Sequence, residues 1–154
     1  MSELEGKPVP AFDMPTADGD RVSDGALKGQ PYVLYFYPKD DTSGCTLEAV
    51  EFTRLKSDFD AIGVPVFGVS PDPVKKHGKF RDKHELGIPL LSDAESDVCE
   101  RYGVWKEKKM YGKTFMGIER STFLIDADGK IARVWPKVKV DGHVAEVLDA
   151  VRAL

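Results

Sequence analysis

Tyr35-Phe-Tyr-Pro-Lys-Asp-Asp-Thr-Ser-Gly-Cys-Thr-Leu-Glu-Ala49 is the stretch on which the fold turns. It begins as the end of an apolar, aromatic strand, passes through a polar turn and continues with helical spacing, so a strand hands over directly to a helix. Pro38 ends the strand and can shield the adjoining turn from water. Cys45 falls in the first turn of the helix, where unpaired backbone N–H groups and the positive end of the helix dipole collect. Both favour a thiolate, which marks this sulfur as a candidate nucleophile. Thr42, three residues earlier, can bring its hydroxyl to that sulfur or to an oxygen substrate. The same two residues also fit a blander pattern, a small buried cysteine after an N-cap threonine.

Outward from this stretch, apolar β-branched and aromatic runs alternate with longer segments of helical spacing, the pattern of an α/β sandwich around one sheet. Strands are expected at Tyr32 to Tyr37, Val64 to Val69, Thr122 to Ile125 and Ile131 to Trp135. The turn Asp126-Ala-Asp-Gly129 should join the last two as an antiparallel hairpin. Helices are expected at Ser43 to Ala61, Asp72 to Glu85, Ala94 to Tyr102 and from Asp141 to the end of the chain. Phe12 to Val22 reads as a small hairpin, and Lys106 to Gly117, which shows no period, as a loop crossing back over the fold.

The 154 residues suit one domain spanning 1–154, and a composition of 42% hydrophobic and 31% charged residues is that of a globular chain. A net charge of -4 argues against nucleic-acid or anionic-membrane partners, which need clustered cations. Lys75-Lys76 and Lys106 to Lys109 read as solvated surface. The N-terminal residues carry no apolar signal segment, so a cytoplasmic location is expected. Two cysteines make no disulfide scaffold. His77, His84 and His143 show no metal-site spacing, so no metal is expected; His77 and His84, which could share a helix face, read as surface residues. A dithiol reductase would need Cys-x-x-Cys, but the positions at that spacing around Cys45 are Thr42 and Glu48.

The pattern Pro38-x-x-x-Thr42-x-x-Cys45, set between a strand and a helix, resembles the active-site signature of the peroxiredoxins. Gly44-Cys-Thr-Leu-Glu48, Leu90-Leu-Ser-Asp93, Tyr111-Gly-Lys113 and Gly117-Ile-Glu-Arg-Ser-Thr-Phe-Leu-Ile125 extend the resemblance along almost the whole chain. They are similar to the PrxQ branch, also called bacterioferritin comigratory protein. The resemblance implies a thioredoxin-like fold, a central mixed sheet flanked by helices with an N-terminal β-hairpin extension. It also implies reduction of hydrogen peroxide and organic hydroperoxides without metal or organic cofactor.

By the same resemblance Pro38, Thr42, Cys45 and Arg120 form the catalytic set, and Glu48 either orients Arg120, as PrxQ-like sequences suggest, or stands as a solvent-exposed helix glutamate; the backbone N–H groups around Gly44 and Cys45 can help to bind substrate. A guanidinium beside the sulfur would favour its thiolate and hold peroxide oxygens. Many PrxQ sequences carry a resolving cysteine five residues after the first or in the next helix. Here those places hold Val50 and Lys79-Phe-Arg-Asp-Lys83. Cys99 reads first as a buried structural thiol and second as a resolving partner. The expectation is therefore a one-cysteine cycle served by thioredoxin, glutaredoxin or a low-molecular-weight thiol, in a monomer or weak dimer. A two-cysteine cycle through Cys99, and a peroxide sensor that relays oxidation to a partner, stand as alternatives.

Overall fold

The structure, a computed structural model, describes residues 3–154. A five-stranded sheet lies at its centre, built from β3 (Tyr32–Phe36), β4 (Val66–Ser70), β5 (Leu90–Ser92), β8 (Ser121–Ile125) and β9 (Ile131–Trp135). The strand order is β5-β4-β3-β8-β9. The β3–β4 and β4–β5 pairs are parallel, whereas β3–β8 and β8–β9 are antiparallel, which makes the sheet mixed. The expected hairpin at Asp126 to Gly129 forms, with Gly129 at φ 79° in the left-handed region that the turn demands.

Every residue of β3 is buried, as a strand covered on both faces should be. Its side chains alternate between two apolar layers. Val33 and Tyr35, with Tyr37 just past the strand's end, pack with α1 (Ser43–Arg54), α2 (Lys56–Ala61), α3 (Val74–His84) and α5 (His143–Arg152). Tyr32, Leu34 and Phe36 pack on the other face with Phe12, Met14 and α4 (Val98–Arg101). Each large side chain buried in this way contributes roughly 1.5–3 kcal/mol. The rings of Tyr35 and Phe52 stack at 4.6 Å, which pins α1 to the central strand. Gly68, opposite Tyr35 on β4, makes room for this: a Cβ there would lie 2.8 Å from the Tyr35 ring.

The N-terminal hairpin is β1 (Asp13–Pro15) with β2 (Arg21–Ser23), tied to β5 by a bridge from Thr16 to Leu91. Several expectations need correction. The helix expected from Ser43 to Ala61 breaks at Leu55 into α1 and α2. Phe52 and Phe59 face the same layer with or without the break, so the apolar spacing could not reveal it. The helix expected from Ala94 shrinks to α4, because the Asp93 carboxylate accepts the Ser96 hydroxyl and the N–H groups of Val98 and Cys99, holding 94–97 as a turn. Lys106 to Gly117 is not a loop but lies within a second hairpin, β6 (Trp105–Met110) with β7 (Lys113–Ile118). Both of its faces are largely exposed, so it shows none of the alternation that betrays a half-buried strand. No helix among the described residues is long and apolar enough to cross a membrane.

His77 and His143 are buried, His77 against the expectation of a surface residue. His143 Nε2 lies 2.8 Å from the Thr122 hydroxyl, and burial pushes its pKa down to about 4. An unfolded chain takes up that proton near pH 6.5, so His143 leaves stability intact above that value and erodes it as pH falls from there to about 4. The loss should reach about 3 kcal/mol at most. The buried Glu48 carboxyl, held up near 7, acts in the opposite sense over the same range, so the test is the change on mutation: His143→Gln should raise the urea midpoint at pH 4.5 relative to that at pH 7, compared with the parent.

Candidate active site

The end of β3, the loop 37–42 and the start of α1 place the candidate residues. Thr42 is the N-cap of α1, and its carbonyl accepts the Thr46 N–H at 2.8 Å. No side chain caps the helix; the Thr42 hydroxyl instead donates to Lys39 O at 2.8 Å. The sequence reading left this hydroxyl free to bond the sulfur, and the structure gives its hydrogen to Lys39 while its lone pairs stay open to a donor. The N–H groups of Ser43, Gly44 and Cys45, too early in α1 for an intrahelical partner, face the helix mouth. Pro38 lies half-buried on the same loop.

Cys45 is only 1% exposed. Arg120 arrives from the residue before β8, and its backbone carbonyl accepts the Val138 N–H at 2.9 Å. Its guanidinium forks: Nη2 donates to Cys45 Sγ at 3.3 Å and Nη1 donates to Glu48 Oε1 at 2.7 Å. One planar cation therefore bridges the sulfur and a carboxylate one helical turn further on. Gly44 permits the approach, since a Cβ there would lie 3.1 Å from Nη2.

Glu48 is wholly buried, and its Oε2 has no hydrogen-bond partner among the described residues. Burial pushes its carboxyl up to about 7, with Arg120 opposing the rise. Burial also works against the charge of Arg120, but Glu48 and Cys45 outweigh it and the guanidinium is held more firmly protonated than usual. The Tyr35 hydroxyl, likewise buried without a partner among the described residues, is pushed well above the ordinary tyrosine range by desolvation and by Glu48 and Cys45. The structure thus brings Cys45, Gly44, Glu48 and Arg120 into contact and sets Thr42 and Pro38 on the adjoining loop.

One residue here was missed in the sequence. Lys108, read as surface within a basic run, is half-buried on β6, its stem against Gly117. Burial lowers its pKa and Arg120 lowers it further, while Cys45 and Glu119 oppose. Only the position of the β6–β7 hairpin could have shown that this lysine feels the same field as the sulfur.

Cys99 sits elsewhere. It belongs to the layer on the opposite face of the sheet from Cys45. Burial first, and Asp93 beside it, hold its thiol well above the ordinary range.

Comparison with known proteins agrees with this geometry. The AhpC/TSA family profile matches residues 6–134. The chain belongs to the AhpC/TSA family. It is 53% identical over 148 residues to a putative peroxiredoxin bcp of Coxiella burnetii, covering 96% of this chain and 98% of that protein. It is 47% identical to peroxiredoxin Bcp of Bacillus subtilis, covering 96% and 94%. Among solved structures, a cysteine-to-serine mutant of Xylella fastidiosa PrxQ superposes with a TM-score of 0.92 at 38% identity, covering 99% of this chain and 98% of that one. A Xanthomonas campestris bacterioferritin comigratory protein, solved in trapped intermediate/ligand complexes bearing on its alkyl peroxide reduction activity, gives 0.87 at 43% identity, covering 92% and 90%. The chain is accordingly a peroxiredoxin of the Bcp/PrxQ kind, a thiol-dependent peroxidase with the thioredoxin-like fold of that group.

Proposed function

We propose that the chain reduces hydrogen peroxide and organic hydroperoxides at Cys45, as one domain over residues 1–154, and that an external thiol completes the cycle. The observation that carries this reading is the Arg120 fork, which places a cation on the sulfur and anchors that cation through Glu48. The Cys45 thiolate attacks one peroxide oxygen. An S–O bond forms, the O–O bond breaks, and the departing hydroxide or alkoxide takes a proton to leave as water or alcohol. Arg120 and the N–H groups of Gly44 and Cys45 stabilise the developing oxyanion, while Thr42 accepts a hydrogen bond from the peroxide hydroxyl. Pro38 keeps bulk water off this mouth.

The resulting sulfenic acid is attacked by an incoming thiol, which expels water and leaves a mixed disulfide. A second thiol restores Cys45. Support for an external partner comes from Val50, from the cysteine-free stretch Lys79 to Lys83 and from the sheet that lies between Cys45 and Cys99. Thioredoxin, glutaredoxin or a low-molecular-weight thiol meets this need, with the protein a cytoplasmic monomer or weak dimer. The alkyl peroxide activity of the Xanthomonas relative favours organic hydroperoxides among the substrates.

Steady-state assays of hydrogen peroxide and tert-butyl hydroperoxide, each with dithiothreitol and with a thioredoxin or glutaredoxin system, test the reading. Many turnovers per chain with at least one reductant are expected. Consumption that stops at one equivalent with every reductant would mark a sensor instead.

A further inference from the structure

The loop that carries Thr42 is tied down by a second buried polar cluster, separate from the Arg120 fork. His77, on α3, has no exposed surface. Its Nε2 lies 2.9 Å from Leu91 O on β5, and its Nδ1 lies 2.6 Å from Asp40 Oδ2. A carbonyl can only accept, so Nε2 carries a hydrogen, and the Nδ1 contact needs one more hydrogen on either the ring or the carboxyl. Tyr37, just past the end of β3, donates to the other oxygen, Asp40 Oδ1, at 2.6 Å. The Asp40 N–H donates to Asp72 Oδ2 at 2.7 Å, and the Ser70 hydroxyl donates to that same oxygen at 2.7 Å.

The ligand-type atoms of Asp40, Asp72 and His77 lie within 4.8 Å of one another, the spacing of a cation site. Protein hydrogens and the Lys76 ammonium, 3.3 Å from Asp72, already occupy them, so the cluster is a closed hydrogen-bond network. The next residue is held as well. Asp41 takes the left-handed φ of 60°, a region uncommon outside glycine that aspartate enters more readily than most residues, and its carboxylate is gripped by Lys83 Nζ and His84 Nε2 at 2.8 Å each, both also on α3.

A desolvated network of this kind is costly and adds little stability that an apolar cluster would not. What it fixes is geometry. We propose that Asp40 and His77 form a positioning pair for the peroxide step, anchoring residues 38–42 on α3 and β5 so that Thr42 and the first N–H groups of α1 present a peroxide-shaped set of partners beside Cys45. The proposal rests on the reading of Cys45 as the reacting sulfur. Neither residue touches substrate.

Positioning predicts a split between reagents. Peroxide needs the ordered mouth, whereas iodoacetamide needs only a reachable sulfur. In a Cys99→Ser background, Asp40→Ala should slow single-turnover oxidation of Cys45 by hydrogen peroxide on the order of 100-fold, as expected for a misplacement of about 1 Å, without slowing alkylation. His77→Asn in otherwise parent protein, whose amide can donate to Asp40 where Nδ1 sits, should show only a small fall, about tenfold or less. Tyr37→Phe keeps the Asp40–His77 contact and should show a smaller fall, about tenfold or less, in the same ratio; it serves if Asp40→Ala does not fold. Equal slowing of both reagents, or no slowing of peroxide in any of these variants, would overturn the proposal. Failure of the parent protein itself to be oxidised at Cys45 would overturn the underlying reading of the site instead.

Discussion

Cys45→Ser is expected to bring peroxide turnover down to the uncatalysed background, a fall on the order of 10⁴-fold or more, while Cys99→Ser keeps its turnover. A serine hydroxyl beside Arg120 is nearly the same size as the thiol, so the fold should survive. It is far harder to ionise, however, and cannot take an oxygen from a peroxide. Cys99 lies in the other apolar layer and is buried there. Its replacement by serine puts a hydroxyl into that layer and should cost about 1–3 kcal/mol of stability. Steady-state consumption of hydrogen peroxide, with unfolding midpoints measured beside it, separates the two outcomes. Full turnover by Cys45→Ser would remove the sulfur from the mechanism.

Arg120→Gln should lower kcat/KM for peroxide by on the order of 10²–10³-fold, the usual cost of losing a preorganised donor to a developing oxyanion. The effect is compounded because Arg120 also serves Glu48, which lies wholly buried. With the guanidinium gone, the charge that opposes the burial-driven rise of the Glu48 carboxyl disappears, so Glu48 should stay protonated through neutral pH and stability should suffer less than activity. Arg120→Lys should recover only part of the rate, since an ammonium cannot present two parallel donors to Cys45 Sγ and Glu48 Oε1. Stopped-flow oxidation at several peroxide concentrations gives the ratio. A variant within about threefold of the parent would show that the fork does not stabilise the transition state.

The sequence made the strand-to-helix passage legible because its apolar run, Pro38 and the helical spacing after Cys45 are all local signals. Arg120 was legible only through resemblance, since bringing it to Cys45 requires β8 to pair with β3. The β6–β7 hairpin and Lys108 were hidden because a strand exposed on both faces leaves no period. His77 was misjudged because its partners, Asp40 and Leu91, lie far away in the chain and only the sheet and its helices bring them close. The separation of the two cysteines comes from which side of the sheet α1 and α4 occupy, and residue spacing does not encode that choice.

The most direct test is intact-mass and peptide mass spectrometry of the reduced protein after one equivalent of hydrogen peroxide, with no added thiol. The expected product carries one added oxygen, trapped as a sulfenic-acid adduct on Cys45, with Cys99 still a free thiol. A disulfide between Cys45 and Cys99 within one chain, or oxidation at Cys99 ahead of Cys45, would contradict the account.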